Sequence, residues 1–215
     1  MAEVLLKTEE LTKSFGGLVA IQELSMEVEA GEIHAVIGPN GAGKTTLIAQ
    51  LSGSLKPDSG RILFENRDIT HVPEYRRSAL GLARSFQITS VLKNFSALDN
   101  VALAVQAHAG HSFRFWSKAR KAQELREPAL EILEKIGLTD RMDMPASSLS
   151  HGEQRQLELA MALATRPKLL LLDEPMAGMG VEESQKMVEL LQDLKGTHTL
   201  AVSYTHLTLP TICRV

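Results

Sequence analysis

Residues 31–53 read GEIHAVIGPNGAGKTTLIAQLSG, a stretch that leaves a chain little choice of local fold. Ile33 to Ile37 is a short, mostly apolar run suited to a buried strand. Gly38-Pro39-Asn40-Gly41-Ala42-Gly43-Lys44-Thr45 fits the pattern G-x-x-x-x-G-K-[ST]. A helical pattern then runs to Leu51, and Gly53 is placed to stop it. Each residue type in the turn has a chemical reason. Glycines let backbone N–H groups curl around phosphate oxygens without side-chain clashes. The helix that follows aims its positive end at an anion. Lys44 can reach the β- and γ-phosphates of a nucleotide, and the Thr45 hydroxyl can ligate Mg²⁺. With glycine at about 7% of residues, four fixed positions coincide by accident in well under about one chain in a hundred of this length. The stretch is therefore read as a phosphate site where a strand meets a helix.

The rest of the chain alternates strands and helices, which argues for a parallel α/β sheet. LSMEVEAGE, upstream, alternates and turns like antiparallel β. KPDSGRILFENRDI reads as a turn, a strand, a second turn at Glu65-Asn66 and a strand start. From about Ile88 to Ser150 the character becomes helical. ALDNVALAVQA and SKARKAQELREPALEILEKIG are helix patterns, the second with Leu125, Ala129, Ile132, Leu133 and Ile136 on one face and Gly137 as a C-cap. HAGHSFRFW, between them, has no period and is read as a loop. HGEQRQLELAMALATRP is a helix stopped by Pro167, VEESQKMVELLQDLKG an amphipathic helix, and HTLAV a strand start. KLLLLDEP is a buried strand ending in Asp173 and Glu174. An acidic pair after a strand is, taken alone, an ordinary solvated strand end. Beside a phosphate loop, Asp173 can hold Mg²⁺ through water and Glu174 can polarise an attacking water.

Bulk properties exclude several classes. The 215 residues are 44% hydrophobic and 23% charged with a net charge of −3, so nothing favours nucleic acid. A single cysteine, Cys213, gives no disulfide framework and fits a reducing compartment. The first residues carry scattered charges and do not read as a signal peptide, and no apolar run approaches the roughly 20 residues that span a bilayer. His108 and His111 lack surrounding ligands for a metal site. Phe113, Arg114, Trp116 and Lys118 form one short basic-aromatic stretch, read as a subdomain surface.

Three further stretches carry a resemblance. SLSHGEQRQLELAMALA is similar to the signature segment of the ATP-binding-cassette ATPases, here Ser150, His151, Gly152 and Glu153. RSFQ places Gln87 at that family's Q-loop glutamine, and LTKSFGG places Phe15 where an aromatic stacks on adenine. The motifs fall in the family's order over about residues 4–201. The resemblance implies an α/β P-loop NTPase (RecA-like) core with an antiparallel β subdomain and an inserted α-helical subdomain. The core would span 1–87 and 155–201 and the helical signature subdomain 88–154. It implies ATP and Mg²⁺ held by Phe15, the 38–46 loop including Lys44, Thr45 and Thr46, Gln87 and Asp173, with Glu174 as catalytic base. Thr45 and Gln87 would be metal ligands and Asp173 one through water. It also implies a head-to-tail dimer, homo- or heteromeric, in which Ser150, His151, Gly152 and Glu153 act on the partner's nucleotide. Glu153 stands where the commonest signature has Gln. Val91, Leu92 and Phe95 either meet a membrane subunit or pack the inserted subdomain.

Within the family, GLARSFQITSVLKNFSALDNVALAV, LSHGEQ and LDEPMAGMGVEES resemble the ATPase subunits of branched-chain amino-acid importers. Importers of urea and short amides and the lipopolysaccharide-export ATPase are similar in these stretches. The implied partners are a second ATPase subunit, two membrane permeases and, indirectly, a periplasmic binding protein, on the cytoplasmic face of the membrane. A soluble cassette ATPase acting on DNA or ribosomes usually carries two cassettes or a long coiled-coil insertion. A non-hydrolysing regulatory cassette is opposed by the presence of both Lys44 and Glu174.

The C-terminus departs from the pattern. The family's last core strand ends on a histidine expected near position 205, where this chain has Thr205 followed by His206. A one-residue slip reverses a strand side chain, so His206 is not assigned that role. Val202 to Thr211, VSYTHLTLPT, is what GTC TCT TAT ACA CAT CTG ACG CTG CCG ACG encodes, a sequencing-library adapter. The expectation is that native sequence ends near Ala201, that 202–215 is a foreign tail, and that the C-terminal part of the core is missing.

Overall fold

The computed structural model describes residues 3–85, 91–108 and 123–204. They fall into two compact units. The first comprises Met1–Arg84, Lys168–Pro175 and Gln192–Val215, the second Ser85–Pro167 and Met176–Leu191.

The first unit holds two four-stranded sheets. One is antiparallel. Its long hairpin of β1 (Val4–Phe15) and β2 (Leu18–Glu29) turns through Gly16 and Gly17, and β1 pairs on its other side with β4 (Ser59–Phe64). A two-residue turn returns β4 to β5 (Arg67–Asp68). Glu65 and Asn66 both have positive φ there, 48° and 61°, the backbone that a tight hairpin of matching twist requires.

The other sheet is parallel, with β3 (Ile33–Ile37), β6 (Leu82–Arg84), β7 (Leu169–Asp173) and β8 (Thr199–Tyr204) in the order β3-β8-β7-β6. The Leu169–Asp173 and Thr199–Tyr204 strands are central and buried at every residue, as continuous apolar runs predict. Ile33–Ile37 differs from the sequence expectation: it is half-buried, with Ile37 exposed, because among the described strands it is an edge with one partner. β8 runs on through Val202, Ser203 and Tyr204, all buried. Helix α1 (Lys44–Ser52) and the short α2 (Glu74–Ala79) complete the unit. Leu47, Ile48 and Leu51 of α1 share one apolar core with Leu6, Ile62, Phe64, Leu169 and Leu171, so both sheets are packed around the helix that follows the phosphate loop.

The second unit packs α3 (Ala97–His108), α4 (Gln123–Lys135) and α5 (His151–Ala164) against one another, and contains most of α6 (Val181–Asp193). Leu125, Ala129, Leu133 and Ile136 form the buried face expected of α4 and the turn after it, with Ile132 at its margin. Gly137 has φ 73° and closes the helix as a C-cap. The loop before α3 is clamped by the fully buried Asn100, whose Nδ2 donates to the carbonyls of Leu92 and Ser96 and whose Oδ1 accepts from Leu92 N–H at 2.8 Å. The clamp buries Val91 and leaves Leu92 and Phe95 exposed. Gln87, His111, Phe113, Arg114, Trp116, Lys118, His206 and Cys213 lie outside the described residues.

Candidate nucleotide site

The phosphate loop joins β3 to α1, and its glycines are demanded by the backbone. Gly43 caps α1 with φ 83°, and a Cβ there would stand 2.3 Å from the carbonyl oxygen of Ala20. No side chain caps this helix and no acid lies in its first turn, so its N-terminal N–H groups are left for an anion. Gly38, Pro39, Asn40, Gly41 and Ala42 form an arch around them, most of it solvent-exposed. Lys44, in contrast, is buried. Its ammonium folds back into the arch, donating to the carbonyls of Gly38 at 2.7 Å and Pro39 at 3.0 Å, and lies 3.4 Å from Glu174 Oε1. Thr45 is exposed at the mouth and Thr46 half-buried beside it.

β7 delivers the acids to the same place. Asp173 has no exposed side-chain surface. Its Oδ1 accepts from Ser203 Oγ at 2.8 Å and faces Thr45 Oγ1 at 3.4 Å. Its Oδ2 is buried without a hydrogen-bond partner, 3.7 Å from Arg84 Nη2. Arg84 Nη1 is in turn anchored by the Ser54 hydroxyl at 3.0 Å. A hydroxyl beside a carboxylate with an unfilled acceptor is a donor set of hard oxygens, which suits Mg²⁺. Glu174 follows with φ 48°, a left-handed backbone that costs a non-glycine residue energy. Its N–H is held by Ser203 Oγ at 2.9 Å. Phe15 ends β1 and is 49% exposed, too open for a core aromatic.

The structure thus brings together Lys44, Thr45, Asp173 and Glu174, all in the first unit. Gln87 lies outside the described residues. Sequence reasoning missed Arg84, and it placed Ser203 in the 202–215 stretch expected to be foreign, whereas here Ser203 pairs with Asp173. Both lie at the C-terminal ends of parallel strands, and only strand register brings them to Asp173.

Ser150, His151, Gly152 and Glu153 open α5 in the second unit. Ser150 is the N-cap of a reciprocal box: its Oγ accepts from Glu153 N–H, and its N–H donates to Glu153 Oε2 at 2.8 Å. Partial burial opposes the charge on Glu153, but the Ser150 N–H and Arg141 at 3.1 Å hold its carboxyl below the ordinary value. A glutamate at this position is thereby accounted for. The Glu183 carboxylate of α6 accepts from Ser150 Oγ at 3.3 Å and lies where a Cβ on Gly152 would come within 2.6 Å of it. Sequence reasoning missed Glu183 as well, since an acid in the first turn of an amphipathic helix is an ordinary solvated residue.

Comparison with known proteins accords with this geometry. The family model described as ABC transporter matches residues 21–177. The probable branched-chain amino acid transport ATP-binding protein LivG of Archaeoglobus fulgidus is 39% identical over 193 residues, 89% of this chain and 75% of that protein. The high-affinity branched-chain amino acid transport ATP-binding protein BraF of Pseudomonas aeruginosa is 34% identical over 207 residues, 94% of this chain and 81% of its own length. Among solved structures, the ADP conformation of an ATP-binding cassette of an ABC transporter superposes with a TM-score of 0.82 at 33% identity, covering 94% of this chain and 81% of that one. On this evidence the chain belongs to the ABC transporter family, as an ATP-binding-cassette ATPase whose hydrolysis is coupled to transport.

Proposed function

We propose that this chain binds and hydrolyses ATP with Mg²⁺ to power an importer of branched-chain amino acids. The observation that carries the chemistry is the convergence of Lys44, Thr45, Asp173 and Glu174 at the strand ends beside the open N-terminus of α1. The substrate class rests on what the LivG and BraF relatives are named for.

In this reading Gly38 to Gly43 and the first N–H groups of α1 cradle the phosphates. Lys44 exchanges the carbonyls of Gly38 and Pro39 for β- and γ-phosphate oxygens. Mg²⁺, when bound by Thr45, Gln87 and, through water, Asp173, supplies positive charge to the phosphate oxygens. Glu174 leaves Lys44 and takes the proton of the attacking water. Phe15 stacks on adenine. Ser150 to Glu153 present a second helix N-terminus to the nucleotide of a partner cassette, with Glu183 displaced from Ser150. Leu92 and Phe95, held outward by the Asn100 clamp, meet a membrane permease. Among the described residues no helix is long and apolar enough to cross a membrane, and in this reading attachment at the inner face is through two permeases, with a periplasmic binding protein beyond them.

The test is MgATP binding and turnover in this chain and two variants. Lys44→Ala is expected to lose nucleotide affinity, and Glu174→Gln to retain binding while losing hydrolysis. Turnover of Glu174→Gln at the unaltered rate would refute the assigned base. Leucine uptake, measured in a strain lacking its own branched-chain importer ATPase and supplied with this chain and its permeases, tests the substrate class; uptake of urea alone would refute it.

A further inference from the structure

The Phe15 ring does not stand alone. Lys13 and Phe15 are two apart on β1 and so project to the same side. The Lys13 ammonium sits over one ring face, 5.5 Å from its centroid. That ammonium is in turn fixed, 2.6 Å from Asp58 Oδ1. The other oxygen of Asp58 accepts from Ser14 N–H at 2.8 Å, and Asp58 N–H donates to the Thr12 carbonyl at 2.9 Å. One residue thus grips three consecutive positions, Thr12, Lys13 and Ser14, immediately before the aromatic. Beyond Phe15 the chain has only the paired glycines of the turn, where added side chains would meet open space. Backbone pairing of Ser14 with Val19 and of Phe15 with Leu18 also holds the end of the strand, and to it Asp58 adds the side-chain restraint on the ring's approach from upstream. Asp58 lies in the connection that leaves α1 for β4, so the loop that grips the aromatic strand is continuous with the helix whose other end faces the phosphates.

The geometry points to Lys13 and Asp58 as positioning residues that set the nucleobase contact of Phe15 apart from phosphate binding. This rests on the nucleotide-site reading above and adds to it. Lys13 covers one face of the ring and leaves the other as the stacking surface. Its charge draws π density toward the covered face, so the open face is less repulsive to the π cloud of a stacked purine. Asp58 keeps the ammonium at the ring instead of free to swing toward a phosphate. The Lys13 bond, and after it the Ser14 N–H, hold the Asp58 carboxyl below the ordinary carboxylate value, so it remains the anion this role needs.

Equilibrium binding of ATP and of inorganic tripolyphosphate, each with Mg²⁺, to the full chain tests this. The variants are Asp58→Ala, Lys13→Met, Phe15→Ala and the double variant Asp58→Ala/Phe15→Ala. Lys13→Met keeps an apolar cover on the ring and removes only its charge, which guards against a folding defect in Asp58→Ala. Expected is a loss of about 3- to 10-fold in ATP affinity for Asp58→Ala and about 2- to 5-fold for Lys13→Met. Tripolyphosphate affinity should stay within about twofold, because the phosphate contacts are untouched. In the Phe15→Ala background, Asp58→Ala should have no further effect on ATP. Equal weakening of both ligands, ATP affinity unchanged in both single variants, or a full Asp58→Ala effect without the ring would overturn the proposal. ATP affinity unchanged in Phe15→Ala would overturn the stacking role and this proposal together. A chain that binds neither ligand would instead refute the nucleotide-site reading on which both rest.

Discussion

Arg77 is the largest fully buried side chain among the described residues, and replacing it gives the most quantitative test of the fold. Its guanidinium donates four hydrogen bonds to backbone carbonyls. Nε donates to Val72 at 2.8 Å, Nη1 to Gln50 and Leu51 at 2.8 Å each, and Nη2 to Thr70 at 3.0 Å. Gln50 and Leu51 belong to the last turn of α1, where the Gly53 N–H reaches the Gln50 carbonyl at 3.2 Å, and the cation adds a donor to both carbonyls at the end opposite the phosphate loop. Gly53 is the glycine that leaves it room: a Cβ there would be 2.7 Å from Nε. Burial pushes Arg77 down to about 10, which still leaves it a cation at neutral pH. Hydrogen bonds from a charged donor contribute about 1.5–3 kcal/mol each, while burying the ion costs several kcal/mol. The net for Arg77→Met, which removes the charged donor from all four carbonyls, is a loss of about 3–5 kcal/mol. At roughly 2–4 °C per kcal/mol for a chain of this size, the melting temperature should fall by roughly 6–20 °C. Arg77→Lys should recover less than half, because one ammonium cannot span carbonyls on both sides of the fork. Thermal and urea unfolding followed by circular dichroism measure both. A loss under about 1 kcal/mol in Arg77→Met would refute the capping argument.

Gly43→Ala must place a methyl group against the Ala20 carbonyl at φ 83°, so ATP affinity should fall at least about tenfold, measured by calorimetry. Arg84→Met removes the cation behind Asp173; the gain in ATP affinity on adding Mg²⁺ should shrink by about tenfold while affinity in EDTA is retained, as for other residues that orient a metal ligand. Burial raises the carboxyl of Glu158 above its ordinary 4.5 despite Arg155 at 2.8 Å. The folded state therefore binds the proton more tightly than the unfolded chain, and this group's contribution to stability declines as pH rises just above 4.5. Glu158→Gln should flatten that decline in urea titrations between pH 4 and 7, and an unchanged slope would count against it.

Legibility in the sequence followed the range of the interaction. The phosphate loop, the buried KLLLLDEP strand and the helix stops at Gly53, Gly137 and Pro167 depend on neighbours within a few residues, and local pattern identifies them. The Glu65-Asn66 turn is local in the same way. What escaped depends on partners far along the chain. EYRRSA looks like a solvated polar stretch, yet Arg77 is 1% exposed because two separate segments, 50–51 and 70–72, aim carbonyls at it. The three-residue β6 is too short for any period, and so Arg84 carried no signal of its own. Ile33 to Ile37 has the apolar content of a central strand but an edge position among the described strands, a fact of topology and not of composition.

That topology also bears on how the chain is made. β8 is the last described strand to be synthesised, yet it lies in the middle of its sheet, between β3 and β7. β3 and the β6–β7 pair cannot be joined until Thr199–Tyr204 is available. At about 5–20 residues per second, the interval from Ile37 to Tyr204 leaves β3 waiting for roughly 8–35 s with its β8-pairing edge bare. The antiparallel β2–β1–β4–β5 sheet can close long before then, since all its strands precede residue 69. During translation the first unit is thus half assembled, and a nascent chain stalled before residue 199 is the form that a chaperone would have to shield.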